Sequence, residues 1–126
     1  MSGFAFDSNI VIDTLMGVDQ ARVELERAVR HGGRVWISRI VWLEVMSLVN
    51  GEPLRMAERF LEGFAIDEVD GEITARAAAL RRDRPHMKTP DAIVLATAMV
   101  RGRVLVTRNT KDFPAEMPGI RVPYTL

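Results

Sequence analysis

Five short apolar runs punctuate this 126-residue chain: Phe4–Phe6, Val35–Ile37, Phe64–Val69, Val104–Thr107 and Ile120–Val122. Helical patterns fill most of the intervals between them. Strands separated by helices are too far apart in sequence for hairpins, so they pair in parallel, and a parallel sheet needs both faces covered. The alternation therefore predicts a three-layer α/β domain with a central, mostly parallel sheet of about five strands flanked by helices. No repeat, linker or low-complexity stretch interrupts it, so residues 1–126 read as a single domain.

Helix boundaries follow from local punctuation. The first helix is expected from about Asn9 to Met16, stopped by Gly17. Asp19 caps a second that reaches about His31 and ends at Gly32-Gly33. Ser38 caps a third running to Asn50, where Gly51 stops it. Glu52–Gly63 form a fourth and Asp70–Arg84 a fifth, ended by Pro85, whose ring disfavours helical backbone in the residue before it. Thr89 is expected to cap the sixth, with Pro90 at its first position and Gly102 past its end.

Composition bounds the function classes. A hydrophobic fraction of 48% and a charged fraction of 27% are those of an ordinary water-soluble domain. The absence of cysteine excludes disulfides and thiolate metal sites and fits a reducing compartment, so the expected location is cytoplasmic. The opening stretch Met1–Asp7 has neither the basic region nor the long apolar core of a signal peptide, and no segment approaches a membrane span. Lys plus Arg equals Asp plus Glu at 17 each, which argues against a general nucleic-acid binder but allows a local basic rim.

The carboxylates carry the chemistry. Asp7 ends the first apolar run, and Asp112 follows the loop Arg108–Lys111 after the fourth. In an open parallel sheet, ligands gather outside the carboxyl ends of the strands. Each acid also has a plain structural reading. Asp7 can cap the helix that begins near Asn9, Asp91 sits where a helix N-terminus favours an acid, and Asp112 can be a turn residue paired with Lys111 or Arg108. Glu44 is harder to dismiss, because its helical neighbours Ile40, Val41, Ser47 and Leu48 place it within a largely apolar stripe. Its structural alternatives are an ion pair with Arg39 or Arg103, or an edge position. Small Ala92 and Ala96 would let the helix bearing Asp91 approach the sheet closely. Asp13 is expected to be a solvent-exposed helical acid.

If Asp7, Glu44, Asp91 and Asp112 converge, each close pair repels by several kcal/mol, on the order of 332/(20r) at an effective dielectric near 20. A divalent cation turns that repulsion into attraction. An all-oxygen donor set suits Mg²⁺ or Mn²⁺, and His31 and His86 alone offer no zinc set. Such a site can activate water and neutralise charge developing on a phosphodiester.

The ordered set Phe6-Asp7-Ser8-Asn9, Glu44 in mid-helix, Thr89-Pro90-Asp91-Ala92 and Thr107-Arg108-Asn109-Thr110-Lys111-Asp112-Phe113 resembles the PIN-domain ribonucleases, and among them the VapC toxins of type II toxin–antitoxin modules. The resemblance spans essentially the whole chain. It implies that Asp7, Glu44 and Asp91 form a catalytic metal site with Asp112 as fourth acid, and that Ser8, Asn9, Thr107 and Asn109 are supporting polar groups. Asn109 is a departure, standing where some PIN domains place an acid. The resemblance further implies Mg²⁺-dependent endonucleolytic cleavage of RNA, often tRNA or ribosomal RNA. It also implies a VapB-like antitoxin that wraps the toxin and blocks its site, a homodimer, and operator DNA bound only through the antitoxin. Arg84, Lys88, Arg108 and Lys111, beside Arg81, Arg82 and His86, are candidate RNA contacts or simply a solvated basic run. Trp36 is expected in the core, Trp42, Phe60 and Phe64 in the core or facing a partner, and the face bearing Val41, Val45 and Val49 is a candidate groove for an antitoxin helix. Two other readings use the same acids: a receiver-like phosphoacceptor switch, with Thr107 and Lys111 imitating its threonine and lysine, and a PIN-fold module that binds without cutting.

Overall fold

The computed structural model describes residues 3–126, so Met1 and Ser2 of the opening stretch discussed above lie outside the described residues. The strands are β1 (Phe4–Phe6), β2 (Val35–Ser38), β3 (Ala65–Asp67), β4 (Val104–Val106) and β5 (Ile120–Arg121). The helices are α1 (Ser8–Leu15), α2 (Asp19–Gly32), α3 (Arg39–Ser47), α4 (Glu52–Glu62), α5 (Gly71–Asp83) and α6 (Thr89–Arg101). The strands form one sheet in the order β3-β2-β1-β4-β5, and every neighbouring pair is parallel. Phe4 lies opposite Val35 on one side and Val104 on the other, which makes β1 the central strand. The chain winds outward from β1 through β2 to β3, then returns past β1 to begin again at β4. Asp7 and Thr107 follow the ends of β1 and β4, where that change of direction opens a crevice.

The residues of β1 are buried on both faces, as continuous apolar strands in a covered parallel sheet must be. Phe6, Ile10, Ile37, Leu61, Ile73, Leu105 and Phe113 are among the large side chains that are fully buried. Phe64 joins them, its ring 6.2 Å from that of Phe6 and edge-on to Phe60 at 5.2 Å. Ala92 and Ala96 are completely buried, so α6 does approach the sheet through small residues as expected. Trp36 is half-buried, with the Arg103 guanidinium over its ring at 3.5 Å.

Several element ends differ from expectation for identifiable reasons. Helix α1 begins at Ser8 because Asp7 is its cap, accepting from the Ser8 N–H. Lys88, not Thr89, is the extended residue preceding α6, and Pro90 takes the second helical position. Neither of the first two helical N–H groups has an intrahelical partner, so proline fits there at no cost. Helix α3 stops at Ser47, whose hydroxyl donates to the Glu44 carbonyl, instead of running on to Asn50. Strand β3 is an edge strand limited by its neighbour: β2 ends at Ser38 opposite Asp67, leaving Glu68 and Val69 without a ladder partner. Gly102 closes α6 in the left-handed region (φ 70°), where a side chain would be strained.

Val41 and Val45 are buried in the core at 0% and 1% exposure, so that face of α3 is no partner groove. It packs inward against α1 and α6.

Away from Asp7, the buried carboxylates are paired with arginines. Asp67 receives both arms of Arg103 at 2.9 and 2.8 Å. Glu24 on α2, only 3% exposed, receives Arg27 at 3.1 Å through two bonds and Arg121 at 2.7 and 3.0 Å. Burial alone pushes the Glu24 carboxyl up, but the hydrogen bonds from Arg121 and Arg27 outweigh it and hold the group below its ordinary value of 4.5. A depressed carboxyl stabilises the fold fully above the unfolded value, and that stability is lost as pH falls through the folded one. Glu24→Gln should therefore cost about 2 kcal/mol at pH 7 and progressively less below the ordinary glutamate range. Urea melts from pH 7 to pH 3 check this, and a deficit that is the same at every pH would refute it.

Candidate active site

Asp7 sits at the floor of the crevice, 4% exposed, its backbone N–H still bonded to the Val106 carbonyl at 2.9 Å. One carboxylate oxygen accepts from the Ser8 N–H at 2.8 Å, and the other accepts from the Thr107 hydroxyl at 2.8 Å and the Asn9 amide at 3.2 Å. Burial raises the pKa of this carboxyl; the bonds from Thr107, Ser8 and Asn9 oppose the rise, and the charge of Asp112 adds to it. Thr107, fully buried, is the hub between the ends of β1 and β4. While donating to Asp7, its oxygen accepts from the Asn9 amide at 3.3 Å and the Asn109 N–H at 3.0 Å.

Glu44 reaches toward the crevice from α3 and is half-buried. Its pKa is raised, first by burial and then by the negative charge of Asp7, while a hydrogen bond with the Ser8 side chain works the other way. The structural partners offered for it are taken, since Arg39 pairs with Glu68 and Arg103 with Asp67. Asp91 is the third residue of α6. Its carboxyl is pushed up from 3.8 to about 6 by burial, then by the charges of Asp7, Asp112 and Glu44, and finally by a hydrogen bond with Asp112. Helix-terminus electrostatics would lower this pKa, so burial and the neighbouring acids together outweigh it. Asp112 is held by Asn109, whose amide donates to the carboxylate at 3.0 Å and whose own oxygen accepts from the Asp112 N–H at 3.3 Å. Buried Phe113 anchors the next position. The carboxyl that faces Asp91 is thus that of Asp112, and Asn109 fixes it in place.

Asp7, Glu44, Asp91 and Asp112 therefore converge, and their donors are all hard oxygens, the set that suits Mg²⁺ or Mn²⁺. Among the described residues, no three acid or histidine side chains are already drawn tightly enough together to hold an ion. The Asp7 oxygens accept from Thr107, Asn9 and Ser8, and Asp91 shares a hydrogen bond with Asp112. The charge and donor chemistry fit a divalent cation.

The basic residues divide. Arg84, His86 and Lys111 line a cleft of about 350 Å³ together with Asp83, Pro85, Met87, Asp112 and Pro114, adjoining the acids through Asp112. Lys88 is exposed at the head of α6. Arg108 is turned away to Asp13, with bonds of 2.6 and 3.1 Å. Asp13, expected in solvent, is only 5% exposed and also accepts from the Tyr124 hydroxyl at 2.8 Å. Its position three residues after fully buried Ile10 was the available sign that it faces inward.

A family profile described as the PIN domain matches residues 4–115. A toxin–antitoxin complex from Klebsiella pneumoniae contains a chain 37% identical, with TM-score 0.85, covering 97% of this chain and 98% of that one. DNA-bound VapBC from Salmonella typhimurium matches at 25% identity and TM-score 0.74, over 96% of each chain. FitAcB from Neisseria gonorrhoeae, at 21% identity and TM-score 0.78 over 98% of this chain and 99% of that one, shares the fold. No curated protein matches the chain.

Asp91 binds its proton more tightly folded than unfolded, so its stability contribution declines as pH rises from the ordinary value of 3.8 through about 6. In cation-free buffer at pH 8, Asp91→Asn should therefore stabilise the protein by about 1–2 kcal/mol, discounted for solvent screening. The gain should vanish below pH 4. A variant less stable at every pH would show that Asp91 serves only its helix terminus.

Proposed function

The chain belongs to the PIN-domain family, and on that premise we propose that it is a metal-dependent endoribonuclease acting as the toxin of a toxin–antitoxin pair. The observation that carries this reading is the gathering of acids from separate elements beyond the ends of β1 and β4, where Thr107 holds Asp7 and Asn109 holds Asp112, while burial and then the charges of Asp7, Asp112 and Glu44 raise the Asp91 carboxyl. Asp7, Glu44 and Asp91, with Asp112 as fourth, would hold Mg²⁺ or Mn²⁺. The chemistry such an ion would supply there is activation of water and neutralisation of charge on the scissile phosphodiester. The chain's own residues do the positioning. Ser8, Asn9 and Thr107 fix the orientation of Asp7, and Asn109 fixes Asp112. The half-buried setting of Glu44 and Asp91 limits water around the reacting phosphate and strengthens each electrostatic contact.

RNA, by this reading tRNA or ribosomal RNA, would follow the cleft beside Asp112. Arg84, Lys88 and Lys111 make no ion pair among the described residues, which leaves their charges for backbone phosphates. The similar structures include a toxin–antitoxin complex and two VapBC assemblies bound to DNA. By analogy this chain would homodimerise, be inhibited by a VapB-like antitoxin and reach operator DNA only through it. Among the described residues no helix is long and apolar enough to cross a membrane; a cytoplasmic location is proposed on the separate ground that the RNA it would cut is there. A phosphoacceptor switch has no use for Glu44 entering from mid-helix, and a binding module has no need of the full acid set.

Incubation with total cellular RNA and Mg²⁺ should yield discrete fragments that EDTA abolishes. Asp7→Asn and Asp91→Asn should each reduce the rate by well over about 100-fold, and Glu44→Gln should do so while the fold is retained. Cleavage unchanged in all three would reveal a contaminant and overturn the reading. Arg84→Ala and Lys111→Ala should weaken RNA binding across sequences, each lowering the slope of log K against log salt by about one. Filter binding at several salt concentrations measures that slope.

A further inference from the structure

We infer that Asp13, Arg108 and Tyr124 form a clamp that positions the loop from Thr107 to Asp112, and through it the carboxylates of Asp7 and Asp112. As regards the reaction, this rests on the nuclease reading above; as regards the loop, it rests on geometry alone. Arg108 stands between the two residues that touch the acids. On one side Thr107 donates to Asp7, and on the other Asn109 donates to Asp112. The Arg108 backbone N–H donates to the Asn9 side-chain oxygen at 3.3 Å, and that same asparagine donates to Asp7 at 3.2 Å. The backbone between Thr107 and Asn109 is thus held on its inner side by the site itself.

The outer side is held by the clamp. Asp13 lies on α1, one turn beyond Asn9, and is nearly sealed from water. Burying a carboxylate is costly unless it is paired and hydrogen-bonded, and here both conditions are met. Both of its oxygens accept from the Arg108 guanidinium, and the oxygen that takes Nε at 2.6 Å also takes the Tyr124 hydroxyl at 2.8 Å. A planar fork gripping a carboxylate at two points leaves little rotational freedom, and the third bond fixes which oxygen faces which donor. Burial and the adjacent Asp13 carboxylate push the Tyr124 hydroxyl above its ordinary value of 10, so it stays a donor throughout the working range. The tail bearing Tyr124 is itself secured by the Arg121–Glu24 bonds to α2. Arg108 is therefore committed inward, in contrast to Arg84 and Lys111 in the cleft.

Tyr124→Phe is the mildest test, since it removes one hydroxyl and leaves the Asp13–Arg108 ion pair. Amide hydrogen exchange of residues 108–112 should quicken about fivefold in this variant, with β1 and α6 unchanged. Under the nuclease reading, kcat should fall about 10-fold in Tyr124→Phe and further in Asp13→Asn and Arg108→Gln, with KM and RNA affinity preserved. Arg108→Lys, which keeps the charge but loses the fork, should not restore kcat. The inference is overturned if exchange in Tyr124→Phe is unchanged or rises uniformly along the chain. It is equally overturned if Arg108→Gln raises KM and lowers the salt slope while Tyr124→Phe and Asp13→Asn cleave normally, the pattern of a phosphate contact. Should the wild type prove not to cleave RNA, the nuclease reading fails and the exchange measurement still decides the clamp.

Discussion

Acids gathered in a partly buried place, away from the water that would solvate them, govern this structure. Asp7, Glu44, Asp91 and Asp112 would each be better solvated apart, and burial first, then the charge of neighbouring acids, raises the carboxyls of Asp7, Glu44 and Asp91. What holds them is the sheet and the helices packed on it. The central strand delivers Asp7, its neighbour delivers Thr107, the small buried residues of α6 bring Asp91 against the strand ends, and α3 supplies Glu44. Stability is given up at the strand ends and recovered in the apolar interior and in buried pairs such as Asp67–Arg103. That separation is common where a rigid scaffold supports a site.

The cations have distinct employments. Arg103, Arg121, Arg27 and Arg108 satisfy buried carboxylates that would otherwise be costly. Arg84 and Lys111 line the cleft beside the acids without such a partner. The equal totals of acidic and basic residues hide this division, because net charge says nothing about which charges are internally committed.

The parts of the fold that were readable in the sequence are those set by local chemistry. Apolar runs, the cap at Ser38 and the glycine after α6 located nearly every element. Glu44 stood out because a charge in an apolar stripe conflicts with its surroundings. What escaped notice depended on partners far along the chain. Asp13 is buried because Arg108, 95 residues away, and Tyr124, 111 residues away, satisfy it, and no local pattern announces either. The same blindness made Arg108 look like an RNA contact. The valines of α3 look alike as core or groove until the helices against them are known, and β3 is short because β2 is short.

The bond between Thr107 and Asp7 spans 100 residues, and the central strand finds its partner β4 only near the end of the chain. β1 is synthesised well before β4 and must wait for it. An unfinished polypeptide that has not yet released its last segment lacks the hydroxyl that steadies Asp7, the loop that carries Asp112 and the tyrosine that braces it. A chain stopped before Thr107 therefore carries Asp7, Glu44 and Asp91 but neither Asp112 nor the groups that hold the acids together.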